Sequence, residues 1–136
     1  MRYLAIDIGD RRTGFALGDS DLGLVQPLEV AEHPNANVMH GAIDKVVEEH
    51  QPDAIVIGLP LNMDDTEGPA AKKMRDVAEI VGARSGIPVH LFDERLTSFE
   101  ADSRMAQSGK THAEKKRVRD ALAATALLED YLSSLG

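Results

Sequence analysis

The sequence contains no cysteine and no tryptophan. Without cysteine, the chain can form neither disulfides nor thiolate metal sites. Its three phenylalanines and two tyrosines offer few rings for the stacking of nucleic-acid bases. No apolar run approaches the roughly 20 residues that a bilayer-spanning helix needs, and no signal peptide follows Met1. We therefore expect a cytoplasmic protein with no membrane partner.

Positive charge is also scarce. Lysine and arginine total 15, against 23 aspartate and glutamate residues, which gives a formal net charge of −8. Such a balance by itself argues against a nucleic-acid partner. The basic residues are clustered, however, at 11–12, at 72–75 and most densely at 110–119. Where the charges lie therefore matters more than their sum.

The pattern of apolar residues predicts one mixed α/β domain over residues 1–136. Its order is βββαβαβαα, with strands at about 3–8, 13–17, 24–30, 54–59 and 89–92 and helices at about 36–50, 69–85, 97–109 and 111–132. Short connections make the first three strands antiparallel, and helical crossovers make the last two strands parallel to the first. We expect five strands in one sheet with helices on both faces.

Two finer predictions concern burial. The first helix should turn Val38, Ala42, Val46 and Val47 toward the core, at helical spacing. Of the five histidines, His90 is expected in the core and the other four at the surface, because none shows the spacing of a metal site.

A carboxylate within the first predicted strand needs an explanation. Asp7 stands in the apolar run Leu4–Ile8, where an isolated charge is costly unless a cation, a basic group or a proton offsets it. Gly9 and Gly14 flank the next turn, and glycine permits either a positive φ or the close approach of another group. Ligand-binding sites in open α/β sheets lie beyond the carboxyl ends of the parallel strands. By this rule Glu94, which follows the last strand, is a second candidate.

The last predicted helix supplies a third carboxylate. Asp120 shares a helix face with Ala124 and Leu128, which places it near the buried side. Oxygen ligands from separate elements suit Mg²⁺ or Mn²⁺, and two such ions can activate a water and stabilise the leaving oxygen in phosphodiester cleavage. We predict that Asp7, Glu94 and Asp120 meet at one edge of the sheet and hold one or two of these ions.

Each carboxylate also has a structural explanation when it is considered alone. A hydrogen-bonded turn would account for Asp7. An ion pair with Arg117 or Lys116 on its own helix would account for Asp120. The convergence of three acids on one edge favours a shared site over three independent structural roles.

Two adjacent acids, Asp93 and Glu94, are candidates for the metal ligand that follows the last strand. Asp93 is expected to cap a turn or to pair with Arg95, which leaves Glu94 as the ligand. A slip of one residue in the strand register would exchange the two side chains between the faces of the sheet.

The basic clusters flank the same edge. A solvated helix face balanced by nearby glutamates is the simpler interpretation, and we prefer it for Lys72 and Lys73. For the others we predict contacts with a phosphate backbone. These substrate-binding residues are Arg11, Arg12, Arg95, Lys115, Lys116, Arg117 and Arg119.

Four segments carry a resemblance to a known family. They are Ala5–Gly14, Gly58–Asp64, Asp93–Thr97 and Arg119–Ala124. In sequence and in order they resemble the YqgF/RuvX family, bacterial nucleases of the RNase H-like superfamily. The match spans nearly the whole chain.

The resemblance implies an RNase H-like fold and a divalent-metal nuclease. Position by position, it puts Asp7, Glu94 and Asp120 in the catalytic places. The chain departs from the family at Asp65, where glycine is usual, and at Ser98, where a second threonine is common.

The family is associated with maturation of the 5′ end of pre-16S rRNA and also with the resolution of Holliday junctions. The residues above do not separate structured RNA from branched DNA as the substrate. Symmetric junction cutting requires a dimer, so both a monomer and a homodimer are open. A function of another class, a non-catalytic nucleic-acid-binding factor on the same fold, is the rival hypothesis.

Overall fold

The computed structural model of the chain describes residues 1–62, 64, 66–93 and 112–135, without the side chains of 112–118. The described elements are β1 (Arg2–Ile8), β2 (Arg12–Asp19), β3 (Leu24–Glu32), α1 (Ala36–His50), β4 (Ala54–Leu59), α2 (Pro69–Ser85), β5 (Val89–Asp93) and α3 (His112–Ser134). The helix predicted at 97–109 lies outside the described residues. In the part of the chain that is described, no helix is both long and apolar enough to cross a membrane.

The five strands form one mixed sheet in the order β3-β2-β1-β4-β5. The β1–β2 and β2–β3 pairs are antiparallel, whereas β4 runs parallel to β1, and β5 parallel to β4. Tight connections allow only antiparallel neighbours, and the crossovers through α1 and α2 return the chain to the same edge. The carboxyl ends of β1, β4 and β5 therefore lie at one edge, as the sequence predicted.

One face of the sheet packs against α1 and α2. Leu4 and Ile6 of β1 are fully buried there, together with Ile43 of α1 and Val81 of α2. Each buried aliphatic side chain of this kind contributes about 1.5–3 kcal/mol through removal of apolar surface from water.

Among the described elements, α3 is the helix that packs against the opposite face. Ala5 of β1 and Ala16 of β2 pack there in one cluster with Ala124, Leu127 and Leu128 of α3, and Tyr3 belongs to the same cluster. Alanines on both sides remove bulk from the interface, so the helix axis approaches the sheet closely. This close approach brings Asp120 of α3 against Gly14 of β2, the residue that pairs with Asp7 near the carboxyl end of β1.

Local signals set the helix ends. The side chain of Asn35 accepts a hydrogen bond from the Val38 amide at 2.9 Å and so caps α1. Pro69 opens α2, and Gly86 ends it with a positive φ of 71°. All three signals were predicted from the sequence.

Two predictions about burial are wrong. Val38 is 44% exposed, because α1 turns Met39, Ile43, Val46 and Val47 toward the core instead. His90 lies exposed on the edge strand β5, where its ring stacks on Tyr131 at 5.9 Å. Conversely, His33 and His40 are only 4% and 8% exposed, although both were expected at the surface.

Candidate active site

Asp7 lies at the carboxyl end of β1 and on the face that α3 covers. Side chains alternate along a strand, and Tyr3 and Ala5 of β1 both pack into the cluster formed with α3. The half-buried Asp7 has the same parity and shares that face. Its partner across the β1–β2 ladder is Gly14.

Gly14 is where α3 contacts the sheet. A Cβ atom built on Gly14 would lie 2.7 Å from the carbonyl carbon of Asp120 and would collide with its carbonyl oxygen. Only glycine allows this contact. Of the two roles that the sequence left open for Gly14, the structure therefore shows close approach of another group, because the φ of Gly14 is not positive. Gly14 pairs with Asp7 in the β1–β2 ladder and contacts the backbone of Asp120, so both acids lie beside the same glycine although 113 positions separate them.

Asp120 is paired with an arginine from the sheet. The Nε atom of Arg12 donates to Oδ2 of Asp120 at 2.6 Å, and the two side chains are 32% and 23% exposed. The partner considered from the sequence was Arg117 or Lys116, whose side chains lie outside the description. Among the described side chains, the cation in contact with Asp120 is Arg12, the first residue of β2.

Hydrogen bonds hold the turn that precedes Arg12 in place. The Gly9 amide donates to the Arg12 carbonyl at 2.9 Å, and the His33 amide donates to the Arg11 carbonyl at 2.8 Å. The His33 ring also lies 2.9 Å from the Thr13 hydroxyl, through Nε2, and both residues are buried. Burial lowers the pKa of His33 below its ordinary 6.5, and the charge of Lys73 lowers it further.

A cavity of about 590 Å³ opens beside this turn. Its lining includes Arg11, Arg12, Glu32, His33 and Pro34. Arg12 therefore borders both the cavity and Asp120. Positive charge from two guanidinium groups at an open cavity suits a phosphate group.

The end of β5 bears on the open choice between Asp93 and Glu94. Asp93 pairs with Leu59, and it has the parity of Leu91, which packs on the side of α1 and α2. Asp93 therefore lies on the face opposite Asp7. Glu94 itself falls outside the described residues, as do Arg95 and the departures at Asp65 and Ser98.

The predicted basic cluster is only partly visible. Lys115, Lys116 and Arg117 belong to α3, but their side chains are not described. Arg119 is exposed on α3 one residue before Asp120, and Arg11 is exposed on the turn. Whether these residues contact nucleic acid stays a prediction.

The donor set agrees in kind with a hard divalent cation. Asp7 and Asp120 offer carboxylate oxygens from neighbouring elements, and Mg²⁺ is commonly held by one or two carboxylates with water and phosphate completing its shell. Within the described ranges, no group of three histidine or acidic side chains could hold a metal ion. The third predicted ligand, Glu94, is not part of those ranges.

Comparison with known proteins decides the family. The model of the family described as RuvX, Holliday junction resolvase, matches residues 1–134. The chain belongs to the RuvX family. A relative from Anaeromyxobacter sp. (strain Fw109-5), named "Putative pre-16S rRNA nuclease", is 41% identical over 132 residues, covering 97% of this chain and 96% of that protein.

Solved structures confirm the fold. Fowlpox virus resolvase in complex with its substrate Holliday junction DNA matches with a TM-score of 0.62 and 14% identity, covering 99% of both chains. The structure of Thermus thermophilus RuvC with a Holliday junction substrate matches with a TM-score of 0.59 and 16% identity, over 96% of this chain and 94% of that one. The RNase H-like fold expected from the resemblance is therefore confirmed, as are the RuvX family and the nuclease class.

The roles of two residues at this edge, Arg12 and His33, differ from those predicted from the sequence. Sequence reasoning assigned Arg12 to substrate and did not connect it with Asp120, because 108 positions separate the two. It also took His33 for a surface residue. The sequence offered one signal for His33, since a histidine that directly follows an alternating strand and precedes a proline can lie against the sheet edge.

Proposed function

We propose that this protein is a divalent-metal-dependent endonuclease that matures the 5′ end of pre-16S rRNA in the cytoplasm. The observation that carries the proposal is the juxtaposition of Asp7 and Asp120 across Gly14 at the carboxyl edge of the sheet. A relative named "Putative pre-16S rRNA nuclease" supports the choice of substrate. The matching family model, described as Holliday junction resolvase, supports the nuclease class. Residues 1–136 would act as one domain, as a monomer or a homodimer.

The proposed metal ligands are Asp7, Asp120 and Glu94, which would hold Mg²⁺ or Mn²⁺. Asp93 is set aside, because it lies on the face opposite Asp7. When bound, such an ion supplies activation of a water molecule and stabilisation of the leaving oxygen.

The basic side chains around the ligands bind different parts of the substrate. Arg11 and Arg12 orient a phosphate at the cavity that they line. Arg95, Lys115, Lys116, Arg117 and Arg119 follow the phosphate backbone away from the cut. Their charge concentrates substrate at one edge of a chain whose overall charge is negative.

The test is cleavage by Asp7→Asn. Purified protein is assayed with Mg²⁺ on a structured pre-16S rRNA fragment and on a four-way DNA junction, at matched salt. Loss of a direct ligand should lower cleavage by at least about a hundredfold, since even groups behind the ligands change metal-site activity about 10–100-fold. Asp21→Asn is the matched control, because Asp21 lies far from the site, 85% exposed, and pairs with the N-terminus.

Three results are informative. Full activity of a folded Asp7→Asn variant would refute the mechanism. Cleavage of the junction but not of the RNA would assign the protein to DNA resolution. Tight binding of both substrates with no cleavage by the wild type would favour the non-catalytic binding factor.

A further inference from the structure

The ion pair between Arg12 and Asp120 occupies a carboxylate that the proposed function needs for a metal ion. The Nε–Oδ2 separation of 2.6 Å is short, and both side chains are about two-thirds or more buried, at 32% and 23% exposed. Screening by water is weaker at such a pair than at the surface. A divalent ion approaching Asp120 must therefore compete with a guanidinium already in contact.

The Arg12 side chain has a second position available to it, in the neighbouring cavity. Its backbone carbonyl accepts from the Gly9 amide at 2.9 Å, so the turn is held in place. Its long side chain can change rotamer without moving that turn. The cavity of about 590 Å³ that Arg12 also lines is bordered by Arg11, Glu32 and His33. A displaced guanidinium would there face solvent and an incoming phosphate.

We propose that Arg12 is a built-in counter-ion that stabilises Asp120 in the metal-free protein and is displaced toward the cavity when a divalent ion binds. The idea rests on the proposed function, because it takes Asp120 as a metal ligand. It adds that metal affinity is set partly by a residue that does not bind the metal. The device keeps a half-buried acid paired before the ion arrives.

Calorimetric titration with MgCl₂, and separately with MnCl₂, tests the proposal without any nucleic acid. Arg12→Gln should bind each ion about five- to tenfold more tightly than the wild type, because the competing cation is gone. Arg11→Gln is the matched control, since it removes the same charge from the same turn. Arg11 is exposed, and the described residues give it no ion pair, so its change should stay within about twofold.

A double-mutant cycle isolates the contact. On an Asp120→Asn background, Arg12→Gln should no longer tighten metal binding, because the carboxylate for which the two cations compete is absent. Arg12→Lys keeps the charge but not the guanidinium fork, and it should fall between the wild type and Arg12→Gln. This conservative variant also serves if Arg12→Gln fails to fold.

NMR of the arginine side chains follows the displacement directly. The Nε–H resonance of Arg12, assigned by its loss in Arg12→Gln, should be slow to exchange with water in EDTA. Saturation with Mg²⁺ should shift it and make its exchange fast.

Equal or weaker metal binding by Arg12→Gln, or an Nε–H resonance that Mg²⁺ leaves unchanged, would overturn the proposal while the proposed function stood. Absence of binding in every variant, the wild type included, would remove the metal-dependent function and this inference with it.

Discussion

A single glycine determines whether the two candidate acids can meet. Gly14 contacts the backbone of Asp120, and any side chain at this position would push α3 away from the sheet. Overpacking of this kind costs about 1–3 kcal/mol. Because the obstacle is backbone rather than a flexible side chain, the upper part of that range applies.

Gly14→Ala should therefore destabilise the protein by about 2–3 kcal/mol and weaken Mg²⁺ binding as well. Urea unfolding measures the first effect and calorimetric titration the second. Gly41→Ala is the control. Apart from its chain neighbours and the backbone of its own helix, α1, no atom of the described residues lies within 4 Å of a Cβ at Gly41. That change should therefore stabilise the protein by about 0.5–1 kcal/mol. If Gly14→Ala were as stable as the wild type, the contact between α3 and β2 would be wrong.

Among the elements, α1 makes the parallel arrangement possible. It carries the chain from the edge strand β3 across the sheet to β4, which pairs with β1. Asn35 starts the helix by accepting from the Val38 amide. The order of the sheet thus depends on a helix whose first turn is set by a local hydrogen bond.

Removal of the cap by Asn35→Ala should lower the free energy of unfolding by about 1 kcal/mol. Asn37→Ala, an exposed change within the first turn, should leave stability unchanged or slightly raised, because alanine is the better helix former. Thermal unfolding at fixed pH compares the two variants. Equal losses would show that the first turn does not depend on the Asn35 side chain.

In the molecule as a whole, two buried histidines link stability to pH. Burial lowers the pKa of both His33 and His40 below the ordinary 6.5. The charge of Arg84 lowers the pKa of His40 further, whereas Asp44 opposes that effect. In the unfolded chain both rings take up protons near pH 6.5, while in the folded protein they stay neutral to lower pH.

The stability that these histidines provide is therefore complete above about pH 6.5 and is lost as the pH falls toward their folded pKa values. We expect the free energy of unfolding, measured with urea, to decrease from pH 7.5 to pH 5.5. His40→Met should reduce that decrease, because one group that must stay neutral has been removed. An identical pH dependence in His40→Met would exclude His40 as a source.

The two faces of the sheet have different roles. One face holds the larger aliphatic core with α1 and α2, and the other brings α3 against small residues so that Asp120 reaches the edge beside Asp7. The candidate site therefore lies on the face that α3 covers, where alanines allow the helix to approach the sheet closely. Large side chains at Gly14, Ala5 or Ala16 would hold the helix, and the carboxylate of Asp120, too far from β1.

The sequence by itself determined what local chemistry controls. The apolar run 54–59 is the strand β4 residue for residue, and Pro69 and Gly86 bound α2, because turns, caps and buried strands have signals within a few neighbouring positions. The four family motifs determined the family and its fold class in the same way. Candidate residues such as Asp7 were visible because a charge inside an apolar strand is costly wherever that strand lies.

Only the tertiary structure decided which side chains contact one another. The pairing of Arg12 with Asp120, the burial of His33 and the exposure of Val38 and His90 depend on which face of each element meets a neighbour. Several helix rotations and strand neighbours satisfy the same local pattern, and tertiary packing, such as that of α3 onto Gly14, selects among them. A contact between residues more than a hundred positions apart leaves no signal in the neighbouring sequence, because the two residues meet only when the chain between them folds.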